Sequence, residues 1–235
     1  MKTVRTNKGP FTERPFFKPQ EIEHMCVQAL RGVGLLPQTP QPIRIDRFIE
    51  KHFKISHSYE DMPAGVLGFT RFGPKGAVED IVLSTALEAG GNSKVNERRI
   101  RTTLAHEAGH GLMHAYLFAM GAKPASLFND ADTTPRILCR DVHDESKGHA
   151  SHSDRWWEFQ ANKAIGGFLM PRRLVELAGA EFVSSIGSFG AKTIEPSKRE
   201  AAARALAEIF EVNPAVARIR IDELFPLDTG SQLSF

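Results

Sequence analysis

His106, Glu107 and His110 stand in the order H-E-x-x-H inside a run, Thr103 to His110, that reads as helix. On a helix, residues four apart lie one above the other on the same face. The two imidazoles can therefore point at one metal ion, and Glu107 beside them can reach a water on it. This is the arrangement of zinc hydrolases: two neutral imidazole ligands, an open position, and a carboxylate that takes a proton. So short a pattern also arises by chance, and the residues around it have to decide.

A catalytic zinc uses three protein ligands and keeps a fourth position open. His114 continues the four-residue spacing but lies a further turn, about 6 Å, along the axis. A straight helix cannot bring three such residues to one ion, so His114 is expected to stand behind the ligands. The longer pattern H-E-x-x-H-x-x-G-x-x-H fails, because Met113 stands where Gly is needed and Tyr116 where His is. Glu158 fits better. It lies on a second helix downstream, which by crossing the first can deliver one carboxylate to the histidine pair. Asn162, one turn beyond Glu158, can hydrogen-bond a ligand from behind. A donor for the developing oxyanion is also wanted. Tyr116, Arg140, His143, His149 and His152 are all candidates, and spacing does not choose among them.

The order of these residues resembles the ImmA/IrrE type of zinc metallopeptidase. H-E-x-G-H-x-x-x-H is met by His106, Glu107, Gly109, His110 and His114; E-x-x-A-N by Glu158, Ala161 and Asn162; L-M-P by Leu169, Met170 and Pro171. Leu206, Ala207, Phe210, Val212, Asn213, Pro214, Val216 and Leu224 resemble the helix-turn-helix-like segment that commonly follows. The likeness covers roughly residues 20–225. One departure is the gap from His110 to Glu158, 158 − 110 = 48 residues, which is long for a compact member and bears on the shape of the cleft. The resemblance implies a core like that of thermolysin-like zincins. It also implies a cytoplasmic, narrowly specific protease, often one that cleaves a helix-turn-helix repressor.

The elements that must position these residues follow from periodicity. Residues 19–32 and 43–53 space apolar side chains helically. From Lys54 the period shortens, and 55–59, 65–72 and 78–84 read as a small antiparallel sheet of three strands, with Gly73-Pro74-Lys75-Gly76 as a turn. Asn92-Ser93 offers a cap for a long helix over 94–120, with a buried stripe of Ile100, Leu104, Ala108, Leu112 and Ala115. Gly109 and Gly111 are poor helix residues; Gly109 is read as admitting another backbone close to the metal. Residues 121–152 form a long connection, with 136–139 as a short strand, and the segment is expected to wall the cleft. Ser153 caps a helix over 155–170, and Pro171 ends or restarts it. Helices over 172–179, 197–211 and 214–224 follow, with a Gly/Ser-rich connector before the last two. The expected fold class is α+β: a mainly helical, zincin-like core over 19–180 with a small antiparallel sheet, a connector over 181–196, and a helix-turn-helix-like region over 197–235.

Composition narrows the function classes. With 41% apolar and 25% charged residues among 235, the chain is an ordinary globular one. Its formal charge of +2 is no polyanion-binding signature. Basic residues gather in 1–18, where Lys2, Arg5, Lys8, Arg14 and Lys18 face only Glu13, and this arm is expected to be flexible. No apolar leader or 18-residue apolar run is present, so no membrane partner is expected. Two cysteines without C-x-x-C spacing suit a reducing cytoplasm.

The reading is a Zn2+-dependent endopeptidase: His106, His110 and Glu158 as ligands, Glu107 as base, and an intracellular protein, such as a helix-turn-helix repressor, as substrate. Two alternatives stand beside it: a DNA- or protein-binding regulator with a structural zinc, and a zinc hydrolase of a non-peptide amide. Direct DNA binding is not expected. Lys198, Arg199, Arg204, Arg218 and Arg220 are balanced by Glu200, Glu208, Glu211, Asp222 and Glu223, whereas a DNA reader shows a basic face.

Overall fold

The computed structural model describes residues 2–5, 13–89, 93–119, 136–140, 156–186 and 191–227. It is a mixed α/β structure with seven α-helices and a small sheet among those residues. In chain order come strands β1 (Lys2–Arg5) and β2 (Glu13–Phe16), helices α1 (Pro19–Gly32) and α2 (Ile45–His52), and strands β3 (Ser58–Glu60), β4 (Val66–Phe72) and β5 (Val78–Ser84). Helix α3 (Lys94–Ala119), strand β6 (Arg136–Arg140), and helices α4 (Trp156–Leu169) and α5 (Arg172–Ala178) follow. Strands β7 (Val183–Ile186) and β8 (Ala191–Ile194) precede α6 (Pro196–Phe210) and α7 (Pro214–Leu224).

The central sheet has four strands, ordered β3-β5-β4-β6, and corrects the expected three-stranded antiparallel one. β4 pairs antiparallel with β5 and β6, but β3 runs parallel to β5. The parallel pair arises because the β4–β5 hairpin returns β5 into the place between β3 and β4, so that β5 runs against β4 and along β3. Two further differences concern segments read as irregular. The basic arm carries an antiparallel pair, β1 with β2, and the connector carries another, β7 with β8. Val183, Ile186, Thr193 and Ile194 give the second pair β-branched residues at both ends.

Helix α3 lies between the sheet and α4, and this explains its burial. Thr103 to Gly111 are all buried, so the helix is covered on every side and not along one stripe; Ile100, Leu112 and Ala115 are only half-buried. A helix apolar on one face needs one neighbour, whereas this one has two. Ser93 caps it, its Oγ accepting from the Asn96 N–H at 3.2 Å; Asn92, Ser153 and Asp154 lie outside the described residues.

One apolar core runs from Ile22 on α1 to Phe225 beyond α7, taking in Phe48, Leu104, Phe168, Leu206, Phe210 and Ile221. The two C-terminal helices thus share the core of α3 and α4. Arg220 fastens them: its Nε donates to the Met170 carbonyl at 3.0 Å, and its guanidinium meets Glu23 of α1 at 2.8 Å and Glu223 at 3.2 Å. Among the described residues no helix is long and apolar enough to cross a membrane.

Candidate metal centre

The centre is built where α3 and α4 touch. Gly109 makes the contact, since a Cβ there would lie 2.8 Å from the Ala164 Cβ and 3.3 Å from the Ala161 Cα. Only a bare backbone admits α4 so closely. That approach carries Glu158, in the first turn of α4, to the two imidazoles of α3. Nε2 of His106 is 2.9 Å from Nε2 of His110. The Glu158 carboxylate lies 3.2 Å from the first and 3.5 Å from the second. Three donors arranged tetrahedrally about a zinc at its usual bond lengths would be about 3.3 Å apart. His106, His110 and Glu158 can therefore hold a metal ion.

Hydrogen bonds behind the ligands support this. His106 Nδ1 lies 3.0 Å from Oδ1 of Asn162. An amide oxygen accepts only, so Nδ1 carries the ring proton and Nε2 is left bare. His110 Nδ1 faces His114 Nδ1 at 2.9 Å, and His114 Nε2 faces Gln160 Oε1 at 3.0 Å. His110 and His114 are fully buried and Gln160 nearly so. Burial, then the neighbouring His106 and His114, hold the His110 imidazole well below its ordinary pKa. Burial pulls His114 down to about 4, with the bond to Gln160 opposing and His106 adding to the shift. Both rings are neutral near pH 7. Two bare ring nitrogens and a carboxylate then converge with no proton between them, an arrangement a cation stabilises.

Glu107 reaches the sheet and is fully buried. Its Oε2 accepts a hydrogen bond from the Thr70 hydroxyl at 2.6 Å. Thr70 Oγ also lies 3.1 Å from the Glu107 carbonyl; the shorter distance and the charge favour the carboxylate. β4 thus holds Glu107, while α4 holds His106 and His114. Thr70 pairs with Ile137 of β6, so among the described residues β6 is the sheet edge one strand, about 4.8 Å, from it. The other edge, β3, is two strands away.

His114 stands behind His110, as its spacing requires, and Asn162 stands behind His106. Tyr116 is half-buried in a cluster with Phe72, Leu117, Trp156 and Trp157. The Trp156 ring meets the His114 ring edge-on at 5.5 Å. His143, His149 and His152, and the wall expected over 121–152 apart from the backbone of β6, lie outside the described residues; of Arg140 only the backbone at the end of β6 is described.

Thr70 and Gln160 were missed by sequence reasoning. Thr70 had a signal: Val66, Gly68, Thr70 and Phe72 share one face of a strand, and a lone hydroxyl on such a face needs a partner. Gln160 had none, since a polar residue two positions from Glu158 reads as solvated.

Comparison with models of known families, with curated proteins and with solved structures gives no match to this chain.

Proposed function

We propose that this chain is a zinc-dependent endopeptidase acting on an intracellular protein, of the ImmA/IrrE type that its motif order resembles. The observation that carries the proposal is the meeting of His106, His110 and Glu158 beside a carboxylate, Glu107, that is not a ligand. A structural zinc is normally closed by four protein ligands and needs no spare base. Here three donors converge among the described residues, and Glu107 is held apart by Thr70.

A divalent zinc in this position would lower the pKa of a water and polarise a carbonyl. The chain's own residues do the rest. Asn162 and His114 fix the two imidazoles, and Thr70 aims the Glu107 carboxylate. Glu107 accepts the proton of the attacking water at a carboxylate oxygen and passes it to the leaving amine. An extended peptide would add to the β6 side of the sheet by backbone pairing, which brings its carbonyls near Thr70 and Glu107.

The C-terminal helices support a protein partner over DNA. Arg199 pairs with Asp222 at 2.6 Å, Arg218 with Glu200 at 3.0 Å, Arg204 with Glu200 at 3.1 Å and Lys198 with Glu195 at 3.4 Å, while Arg220 is buried. The cations of α6 and α7 are already matched by acids, so little charge is left for phosphates. Ile219 on α7 is exposed instead.

The test is zinc content and cleavage together. Purified protein should hold one zinc per chain, Glu158→Ala should lose most of it, and Glu107→Gln should keep it. Incubated with a helix-turn-helix repressor encoded beside it, the wild type should cut and Glu107→Gln should be slower by several orders of magnitude. Full zinc in Glu158→Ala would refute the ligand set, and undiminished cleavage by Glu107→Gln would refute the role of the base.

A further inference from the structure

The nitrogen that His110 offers to the metal is chosen on another helix. Gln160 lies on α4, His110 and His114 on α3, and the three form a chain of contacts: Gln160 Oε1 to His114 Nε2 at 3.0 Å, then His114 Nδ1 to His110 Nδ1 at 2.9 Å. We propose that Gln160 is a positioning residue that, through His114, locks His110 in the tautomer whose Nε2 is free for the metal. The inference rests on the reading of His106, His110 and Glu158 as the ligand set.

The order of protons follows from what each atom can do. An amide oxygen accepts only, so His114 Nε2 must carry its proton. A neutral imidazole has one N–H, so His114 Nδ1 is then an acceptor. His110 Nδ1 faces it and must donate, which strips the proton from His110 Nε2. That bare nitrogen is the one 2.9 Å from His106 Nε2 and 3.5 Å from Glu158. The reverse order sets a ring lone pair against Gln160 Oε1 and puts an N–H where the metal belongs. All three side chains are buried, so bulk water does not substitute for Gln160. Trp156 packs edge-on against the His114 ring.

The two ligand histidines are therefore set by the same helix in different ways. Asn162 reaches His106 directly. Gln160 acts at one remove, through a histidine that lies too far along α3 to be a ligand itself. Glu158 and Gln160 flank the strip of Trp157, Ala161 and Ala164 that α4 buries, so one helix face supplies a ligand on one side and the tautomer lock on the other.

The experiment uses the full-length chain with zinc alone as the probe. Zinc affinity is measured by competition with a chromophoric chelator for wild type, Gln160→Met, which keeps the volume and loses the acceptor, and Gln160→Glu, which keeps an acceptor. Gln160→Met should bind zinc ten- to a hundredfold more weakly, and Gln160→Glu within threefold of wild type or more tightly. Independently, nitrogen-15 spectra of the zinc-free wild type should show His110 protonated at Nδ1, a readout that needs no variant to fold. Gln160→Met binding within twofold of wild type overturns the proposal, as does Gln160→Glu falling as far as Gln160→Met. So does a His110 protonated at Nε2. A different result, wild type without zinc or His110→Ala binding as wild type does, sinks the metal centre itself.

Discussion

Replacing Gly109 by Ala should loosen the metal without unfolding the chain. The new Cβ would sit 2.8 Å from the Ala164 Cβ and 3.3 Å from the Ala161 Cα, where carbons settle at about 3.5–4.0 Å. Neither obstacle is the tip of a flexible side chain, so α4 must retreat by roughly 1 Å. Glu158 rides on α4, and its oxygens now stand 3.2 and 3.5 Å from the two ring nitrogens. Metal–ligand bonds tolerate about 0.2 Å. Zinc therefore binds only if the helices close again against the overpacking strain, about 1–3 kcal/mol. At about 1.4 kcal/mol per decade this is roughly a five- to 150-fold loss of affinity. The metal-free protein escapes most of that strain and gains about 1 kcal/mol of helix propensity, so its own stability should change little. Gly111→Ala is the control. Its Cβ would meet the Phe53 Cζ at 2.8 Å and the Val78 Cγ2 at 3.0 Å, both side-chain ends and neither on α4. It should lower stability and leave zinc affinity within twofold. Chelator competition and urea unfolding of the metal-free proteins measure both quantities. Wild-type affinity in Gly109→Ala, or an equal loss in Gly111→Ala, would refute the reasoning.

Three further outcomes are expected. Thr70→Val should keep zinc, slow peptide hydrolysis by at least tenfold and cost about 1–3 kcal/mol of stability by leaving Glu107 Oε2 without its donor; Thr70→Ser should behave as wild type, and urea titrations with single-turnover assays check this. The metal-free protein should weaken in acid: His114 has a folded-state pKa of about 4 against 6.5, so the unfolded chain binds a proton that the folded one refuses. Its contribution is whole above pH 6.5 and is lost as pH falls toward 4, on the order of 3 kcal/mol, with His110 adding in the same direction; urea midpoints that do not fall over this range, or that fall as steeply in His114→Asn, would contradict it. Residues 190–235 within the full chain should give no sequence-selective DNA binding below micromolar in fluorescence titrations at moderate salt, because their cations already face acids.

Strong periodicity was legible. α1 and α7 lie where their spacing and their prolines put them, and α3 runs nearly the whole length expected from Ser93 onward. The meeting of His106, His110 and Glu158 was legible too, because the first two are fixed by one helical turn and Glu158 by the helix that follows. Gly109 was legible as a place of close backbone approach; which residues meet it there was not. That Gly109 is a contact between helices depends on Ala161 and Ala164, which are ordinary helix residues until α4 is laid across α3. The parallel pairing of β3 needs the third dimension in the same way: three residues of strand contain no sign of their direction relative to β5. The partners of Glu107 and His114, Thr70 and Gln160, come from 37 and 46 residues away, beyond any local pattern.

The bracing of α4 has a consequence for the protein's making. Its far end is gripped by an early segment and a late one: Gly167 lies against Cys26 and Glu23 of α1, and Gly166 lies under the Arg220 side chain of α7. The codon for Glu158 is read 224 − 158 = 66 residues before that for Leu224, the last residue of α7. At ~5–20 residues per second, this interval is about 3–13 s. During it His106, His110 and Glu158 already exist, but the α7 side of the brace on α4 has yet to be made. Until Arg220 is added, α4 lacks the contacts that Arg220 makes to the Met170 carbonyl and, across to α1, to Glu23.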